Sequence, residues 1–441
     1  MDIIIAGAGR VGHLLAKTLC IRHNVTVIDK NPQVLQMLQE NIDILAICGD
    51  IENPNTYTSL LNKSFDIFIC VTDSDEANLL SALISDDVID VKKKIIRLKN
   101  DYFAKSSISQ KLGISDAIFP FTSTALSIGA LLDFPKANNV KEFMHTDFKL
   151  ISVFVQSSGY EGRLVREFDC DGCVVVGLER EKNFLLPRND EIIKEHDLIY
   201  FFGDADLIRK NCERIDTKMP QKITKIAIFG ARSLGVEIAK VLLERDIQLK
   251  VIESDEALCK RASELLQNRA TVINSRYNEY TVFEDERINQ SDMVIATDTK
   301  DEENIIRCLE AKEYGVEKTV AINNNAQHYE LMHKLGIVAA RGSKSNAYYA
   351  ILEKIGSSSV IFEKHYCGGR GTVFVRKIFK DSALIDKSAS PCFDEDVKSF
   401  ILRDNRIYPF NERFTLKQND MIFVFLFTSK EERVKNWIYS L

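Results

Sequence analysis

Residues 1–12 read Met1-Asp2-Ile3-Ile4-Ile5-Ala6-Gly7-Ala8-Gly9-Arg10-Val11-Gly12, and this junction decides the fold. An apolar β-branched run ends on Gly-x-Gly-x-x-Gly, and the amphipathic stretch from Val11 to Leu19 follows at once. In a strand-to-helix turn of that kind the first glycine permits the tight turn. The second lets backbone approach a pyrophosphate, and the third lets the helix pack on the strand. The exposed amides at the start of the helix suit a phosphate. The bare pattern is a weak signal, and its place between strand and helix gives it force.

Outward from this junction, short β-branched runs alternate with helical stretches. Strands are expected at Asp2 to Ala6, Asn24 to Ile28, Ile44 to Cys48, Asp66 to Val71, Lys94 to Leu98 and Ala117 to Phe119, with helices such as Gly12 to Arg22 and Pro32 to Glu40 between them. Strict alternation predicts parallel βαβ units and a doubly wound Rossmann-type sheet over residues 1–133. From 134 to 216 the pattern changes to short strands, Lys149 to Val155, Cys173 to Leu178 and Asp197 to Phe202, which describes a small α+β domain. After the polar segment Thr217 to Lys222 the first pattern resumes at Lys225 to Phe229, giving a second Rossmann-type unit over 223–345 and a second small α+β unit over 356–441.

The two halves match by offset. Gly7 and Gly230 lie 223 apart, Asp29 and Glu253 224, and Asp75-Glu76-Ala77-Asn78 and Asp301-Glu302-Glu303-Asn304 226. Asp197-Leu-Ile-Tyr-Phe-Phe202 recurs as Asp420-Met-Ile-Phe-Val-Phe425 at 223. A series of landmarks at nearly one offset identifies an internal duplication. The fold class is therefore α/β, with two doubly wound parallel sheets, each followed by a small α+β domain.

The first half carries a candidate nucleotide site. Beside Gly7, Ala8, Gly9, Arg10, Val11 and Gly12, Asp29 closes the second strand, where a carboxylate accepts hydrogen bonds from both ribose hydroxyls and repels a 2′-phosphate. The reading is NAD or another 2′-hydroxyl adenine nucleotide. Gly49-Asp50, Thr72-Asp73 and Arg97 stand at the ends of strands three, four and five and point to the same crevice. Arg97 can pair with a phosphate or form a surface ion pair. Asp73, Asp75 and Glu76 read equally as ligand contacts or as a solvated acidic turn before a helix. The second copy, Gly230-Ala231-Arg232-Ser233-Leu234-Gly235 with Glu253, is a doubtful nucleotide site. Arg232 obstructs backbone approach, strand three ends Asn274-Ser275, and strand five ends Ala321-Ile322-Asn323-Asn324 without an arginine matching Arg97.

Composition excludes several classes. With 441 residues, 45% hydrophobic and 28% charged, net charge −6 and no basic block, the chain is globular, of several domains and not suited to electrostatic capture of nucleic acid. No signal segment or spanning run is read, so a soluble, cytosolic chain is expected. Cys170-Asp-Gly-Cys173 lacks the further ligands of a zinc site and reads as two incidental thiols. His13, His23, His145, His196, His328, His333 and His365 form no acid–base motif; His328 and His333 read as surface residues of a helix. The expectation is binding without catalysis and no metal.

Gly7 to Gly12 with Asp29, the Val71-Thr72-Asp73-Ser74-Asp75-Glu76-Ala77-Asn78 segment, Arg97 and the tandem repeat resemble the TrkA family, peripheral regulatory subunits of Trk potassium uptake systems built from tandem RCK (KTN) domains. The resemblance spans the chain. It implies RCK N- and C-lobes, and NAD(H) or ATP/ADP as a regulatory ligand lined by Gly7 to Val11, Asp29, Thr72-Asp73 and Arg97. It also implies a homo-oligomeric ring, and a cytoplasmic position on the inner face of the membrane beneath a membrane-embedded potassium transporter subunit. The alternatives are an NAD-dependent oxidoreductase and a regulator of another cation transporter. The apolar stretches Ala125 to Leu132 and Ala347 to Ile355 either cross over to a neighbouring lobe or pack within their own.

Overall fold

The computed structural model describes every residue except 62, 101, 144–145, 156–161, 182, 216–219, 221, 276–281, 357–360, 381, 388–395, 412–413 and 441. His145 and most of the linker expected at 217–222 lie outside the described residues.

The opening apolar run forms strand β1 (Asp2–Ala6), followed by β2 (Asn24–Asp29), β3 (Leu45–Cys48), β4 (Ser64–Cys70), β5 (Asp90–Arg97) and β6 (Asp116–Ile118). They lie in the order β3-β2-β1-β4-β5-β6, every pairing parallel. A strand places successive side chains on opposite faces, so a near-continuous apolar run serves a sheet buried on both sides. Ile3, Ile5, Val27, Ile67 and Ile95 accordingly enter one core, and Ile4, Ile28, Phe68 and Ile96 the other. Strand β5 begins four residues before its expected start because Lys92, Lys93 and Lys94 disguise it; they pair with Asp66, Asp116 and Asp86.

The first small lobe contains β7 (Asn139–Glu142), β8 (Lys149–Phe154), β9 (Cys173–Arg180), β10 (Asn183–Leu185) and β11 (Leu198–Gly203), an antiparallel sheet ordered β10-β9-β11-β8-β7. The edge strands β7 and β10 are too short to leave a sequence pattern. The doubly wound arrangement then returns as β12 (Lys225–Phe229), β13 (Gln248–Glu253), β14 (Thr271–Asn274), β15 (Met293–Ala296), β16 (Lys318–Asn323) and β17 (Val338–Arg341), ordered β14-β13-β12-β15-β16-β17. The second small lobe has β18 (Ile361–Tyr366), β19 (Gly371–Lys377), β20 (Val397–Arg403), β21 (Arg406–Pro409) and β22 (Met421–Phe427), ordered β18-β19-β22-β20-β21. Read from the other edge, this is the order of the first small sheet. The duplication reaches single side chains. Arg180 clasps buried Asp197 through Nε and Nη2 at 2.8 and 2.7 Å, and Arg403 clasps buried Asp420 at 2.8 and 2.6 Å.

Each segment expected as a lobe, 1–133, 134–216, 223–345 and 356–441, contains one of these sheets. Compactness groups the chain differently. One unit is Met1–Ser123 with Gly342–Ile355, and the other is Thr124–Arg341 with Gly356–Leu441. The reason is an exchange of helices. In the first unit, Ala347 and Ile351 of the helix Ser343–Gly356 join Ile3, Leu15 and Ile67 in one core, and Tyr348 Oη meets Thr18 Oγ1 at 2.8 Å. In the second, Ala125, Ile128 and Leu131 of the helix Pro120–Asp133 join Ile226, Ile238 and Met293. Of the two alternatives open in the sequence, crossing over is the one observed, and each sheet is covered by the other half's helix.

Candidate functional site

In the first unit the carboxyl ends of β1 to β5 open on a crevice of about 540 Å³. Its wall begins with the glycine turn. Gly7 has φ +106°, and a Cβ there would come 3.0 Å from Thr72 Cγ2. A Cβ on Gly12 would lie 1.8 Å from the Gly7 carbonyl oxygen, so the third glycine is fixed by contact between helix and turn. At Gly9 a Cβ would meet nothing within 4 Å. Its φ of −62° and ψ of −174° suit any residue, so neither packing nor backbone conformation requires glycine here. Gly9 precedes the helix Arg10–Leu19, whose first amides have no side-chain cap.

Asp29 sits opposite the turn. Its Oδ2 accepts the Ala8 N–H at 2.6 Å and its Oδ1 the Asn31 N–H at 2.8 Å, which leaves each oxygen lone-pair capacity for a further donor. Gly49 and Asp50 follow β3 and line the crevice. Gly49 has a packing reason for its identity, since a Cβ would lie 2.6 Å from Thr56.

The floor is set by Asn78, fully buried in the helix Asp75–Val88. Its Oδ1 accepts from Thr72 N at 3.0 Å, and its Nδ2 donates to the Arg97 carbonyl at 2.8 Å, clipping the end of β5 to the loop after β4. Asp75 accepts the Lys99 and Asn100 N–H groups at 2.7 and 2.8 Å, and Glu76 bonds the capping Ser74. Neither is among the crevice lining, so of the three acidic residues read ambiguously only Asp73 borders the space.

Arg97 is 4% exposed, which removes the surface part of its ion-pair reading. Its Nη1 donates to Asp73 Oδ1 at 3.1 Å, and Lys99 Nζ lies 3.4 Å from the same oxygen. Arg97 Nε is buried without a hydrogen-bond partner among the described residues. Burial works to raise the Asp73 carboxyl, but Lys99 and Arg97 outweigh it and hold it below the usual range. Thr72, Asp73, Arg97, Asp29, Asp50, Gly7, Gly9, Arg10 and Val11 thus border one space; Ala8 and Gly12 stand in the turn behind it. Sequence reasoning missed Lys344, which reaches this crevice from the helix Ser343–Gly356. No local signal reveals it, because its helix crosses over from the other half.

In the second unit the same backbone has been rewired. Glu253 is 5% exposed, and Ala231 N, Ser254 N, Ser254 Oγ and Asp255 N all donate to it. Its oxygens hold the turn instead of facing open space. Arg232 takes the position of Gly9 with φ −67° and ψ 176°, followed by Ser233 and Leu234 in the first turn of the helix. Asn274 turns back on the carbonyls of Glu253 and Ser254. Asn304 donates to the Ile322 carbonyl as Asn78 does to that of Arg97, so the residue matching Arg97 is the buried Ile322 and not Asn323. Gly230, with φ +105°, keeps the tight turn beside Thr297. His333, expected at the surface, is half-buried. It lies 6.3 Å from the Phe154 ring, and burial pulls its pKa down. His328 is half-buried and faces Glu302 at 3.8 Å.

A family model described as the TrkA-N domain matches residues 3–120 and 226–340, and one described as the TrkA-C domain matches 150–216. A Trk system potassium uptake protein TrkA homolog of Archaeoglobus fulgidus is 25% identical over 445 residues, covering 99% of both chains. The TrkA of Vibrio alginolyticus is 23% identical over 453 residues, covering 98% of this chain and 96% of its own. Among solved structures, the GsuK channel bound to NAD superposes with a TM-score of 0.63 at 15% identity, over all of this chain and 79% of the other. The GsuK RCK domain superposes equally well, covering 95% of that chain. At such identity the structural likeness speaks for the fold.

Proposed function

The chain belongs to the TrkA-N domain family, and on that premise we propose that it is a nucleotide-sensing regulatory subunit of a Trk-type potassium uptake transporter. The observation that carries the nucleotide part is the open space at Gly9, facing a helix N-terminus and a carboxylate with free acceptor capacity. In this reading the pyrophosphate lies against the Gly9 backbone and the first amides of the helix, and Asp29 receives the ribose hydroxyls. Arg10, Arg97 and Lys344 supply positive charge along the phosphates, with NAD(H) or ATP/ADP as ligand. The NAD-bound GsuK channel and an ADP-bound GsuK structure share this fold, which supports the ligand class.

Lys344 suggests how occupancy is read out. It stands at the start of the helix that covers the first sheet through Ala347 and Ile351. A ligand touching both the glycine turn and this helix binds differently when the helix shifts, and such a difference in affinity is what couples a ligand to a conformational change. The partner is a membrane-embedded potassium transporter subunit, met as a homo-oligomeric ring on the cytoplasmic side. No helix among the described residues is long and apolar enough to cross a membrane, in keeping with a peripheral role.

The deciding experiment is calorimetric titration of the full chain with NAD, NADH, ATP and ADP, followed by potassium flux in vesicles holding the transporter with and without the subunit. Nucleotide binding that leaves flux unchanged would reject the regulatory part. Absence of binding by all four would reject the sensing part. Turnover of a nicotinamide with a reducible substrate would favour the oxidoreductase alternative.

A further inference from the structure

Away from the nucleotide crevice, in the second small lobe, Glu363 and His365 occupy alternate positions of β18 and so share a face of that strand. Glu431 opens the helix Glu431–Ser440. One ligand atom from each of these three residues lies within 4.8 Å of those of the other two. Glu363 and His365 are each 4% exposed, and Glu431 is half-buried. The sequence reading, which looked for paired Cys or His motifs, assigned no metal here, because the third residue comes from a helix far along the chain.

We propose that Glu363, His365 and Glu431 bind a divalent first-row transition cation of the zinc class. The contacts around the imidazole leave one ring nitrogen for a metal and hold the other. Thr372 Oγ1 lies 3.4 Å from Glu431 Oε2, to which it donates, and 3.0 Å from His365 Nδ1. In the tautomer with Nδ1–H donating to the Thr372 hydroxyl, Nε2 faces Glu363 Oε1 at 3.3 Å as a ligand; in the metal-free protein Nε2–H can donate to that oxygen instead. A divalent cation bound here takes the place of the proton that otherwise joins the imidazole and the carboxylate. Two ligands about 2.1 Å from a tetrahedral metal lie roughly 3.4 Å apart, so this pair is already spaced as zinc requires. A histidine whose second ring nitrogen is held by an oxygen is the usual ligand arrangement. One imidazole with two carboxylates suits Zn²⁺, Co²⁺ or Mn²⁺ and disfavours Ca²⁺ and Mg²⁺, which take oxygen ligands. Lys435 Nζ, 3.1 Å from Glu363 Oε2, competes for one carboxylate in the metal-free protein.

The test uses the full chain, stripped of metal and titrated with Zn²⁺ against a chromophoric chelator, and separately with Co²⁺ in the visible spectrum. Wild type is expected to bind one equivalent and to give a low-coordinate Co²⁺ band without thiolate charge transfer. Glu431→Gln, at a half-buried position, is expected to fold as wild type by circular dichroism and to weaken binding by about 10-fold or more, Thr372→Val by about 10- to 100-fold, and His365→Ala to abolish it. Lys435→Gln, which removes the competing ammonium, is expected to tighten it. Absence of binding by wild type overturns the proposal. So does a thiolate band, which would move the metal to the cysteines, or Zn²⁺ affinity within twofold of wild type in both Glu431→Gln and His365→Ala.

Discussion

Replacing Gly9 by alanine separates what this residue does for folding from what it does for ligand binding. A Cβ there meets nothing within 4 Å, and the backbone at φ −62° and ψ −174° accepts it without strain. Stability of the ligand-free protein should hold or rise by about 0.4–1 kcal/mol, because alanine restricts the unfolded chain. The same methyl group stands where a pyrophosphate would touch backbone. Displacing it costs one charge-assisted hydrogen bond, about 1.5–3 kcal/mol, which is on the order of 10- to 100-fold in affinity. Nucleotide at 100 times the wild-type dissociation constant stabilises wild type by about 2.7 kcal/mol and the variant by roughly 0.4–1.4 kcal/mol. Peptide-resolved hydrogen exchange over β1 and β4, with and without nucleotide, reads both quantities in the first unit. Gly12→Ala is the control, because its Cβ would lie 1.8 Å from the Gly7 oxygen and should destabilise the ligand-free unit by about 3 kcal/mol or more. If Gly9→Ala loosens the ligand-free protein by more than about 1 kcal/mol, or leaves nucleotide protection unchanged, the reasoning fails.

Asp29→Ala should lose most nucleotide affinity by calorimetry, whereas Arg232→Gly should create no tight second site because Glu253 remains committed to four donors; a second high-affinity isotherm in that variant would contradict the comparison. Ile351→Ala, in the crossover helix, should destabilise the first unit by about 2–5 kcal/mol and raise exchange at Ile3 to Ile5, although these residues are far apart in sequence; exchange confined to residues 343–356 would count against the shared core. The Asp73 carboxyl is held below its ordinary value, so its pairing with Lys99 and Arg97 contributes stability above the unfolded pKa of about 3.9. That contribution disappears as pH falls through the lower folded value. Acid unfolding followed by circular dichroism should therefore show wild type losing its advantage over Asp73→Asn below about pH 4, and equal curves at neutral pH would show the pair to be idle.

The doubly wound halves were legible because a sheet buried on both faces demands unbroken β-branched runs, and because the duplication repeats each signal. Strand β5 was partly hidden since Lys92 to Lys94 interrupt its apolar run, with Lys94 buried against Asp86 while the exposed Lys92 pairs with Asp66. The residues around the first crevice were readable because they sit at strand ends, where topology gathers them. Lys344 was not readable, since only tertiary packing brings it there. The acidic turn split in a way residue type cannot reveal: Asp73 faces the crevice, while Asp75 accepts backbone N–H groups and Glu76 accepts the Ser74 hydroxyl. The 226-residue offset of the acidic turn carries Arg97 onto Asn323, whereas the Asn304 hydrogen bond puts Ile322 at that position.

The exchange of helices also sets a timetable for biosynthesis. The strands of the first sheet are all made once Ile118 has been added, yet the helix that shields one face ends at Gly356. At about 5–20 residues per second the ribosome needs roughly 10–50 s to deliver it. Through that interval Ile3, Ile5, Val27 and Ile67 present a bare apolar face, and the helix Pro120–Asp133 waits for strands not yet translated. A nascent chain arrested anywhere in this window is a client for chaperones, and a gene split between the halves yields two products that mature only by finding each other.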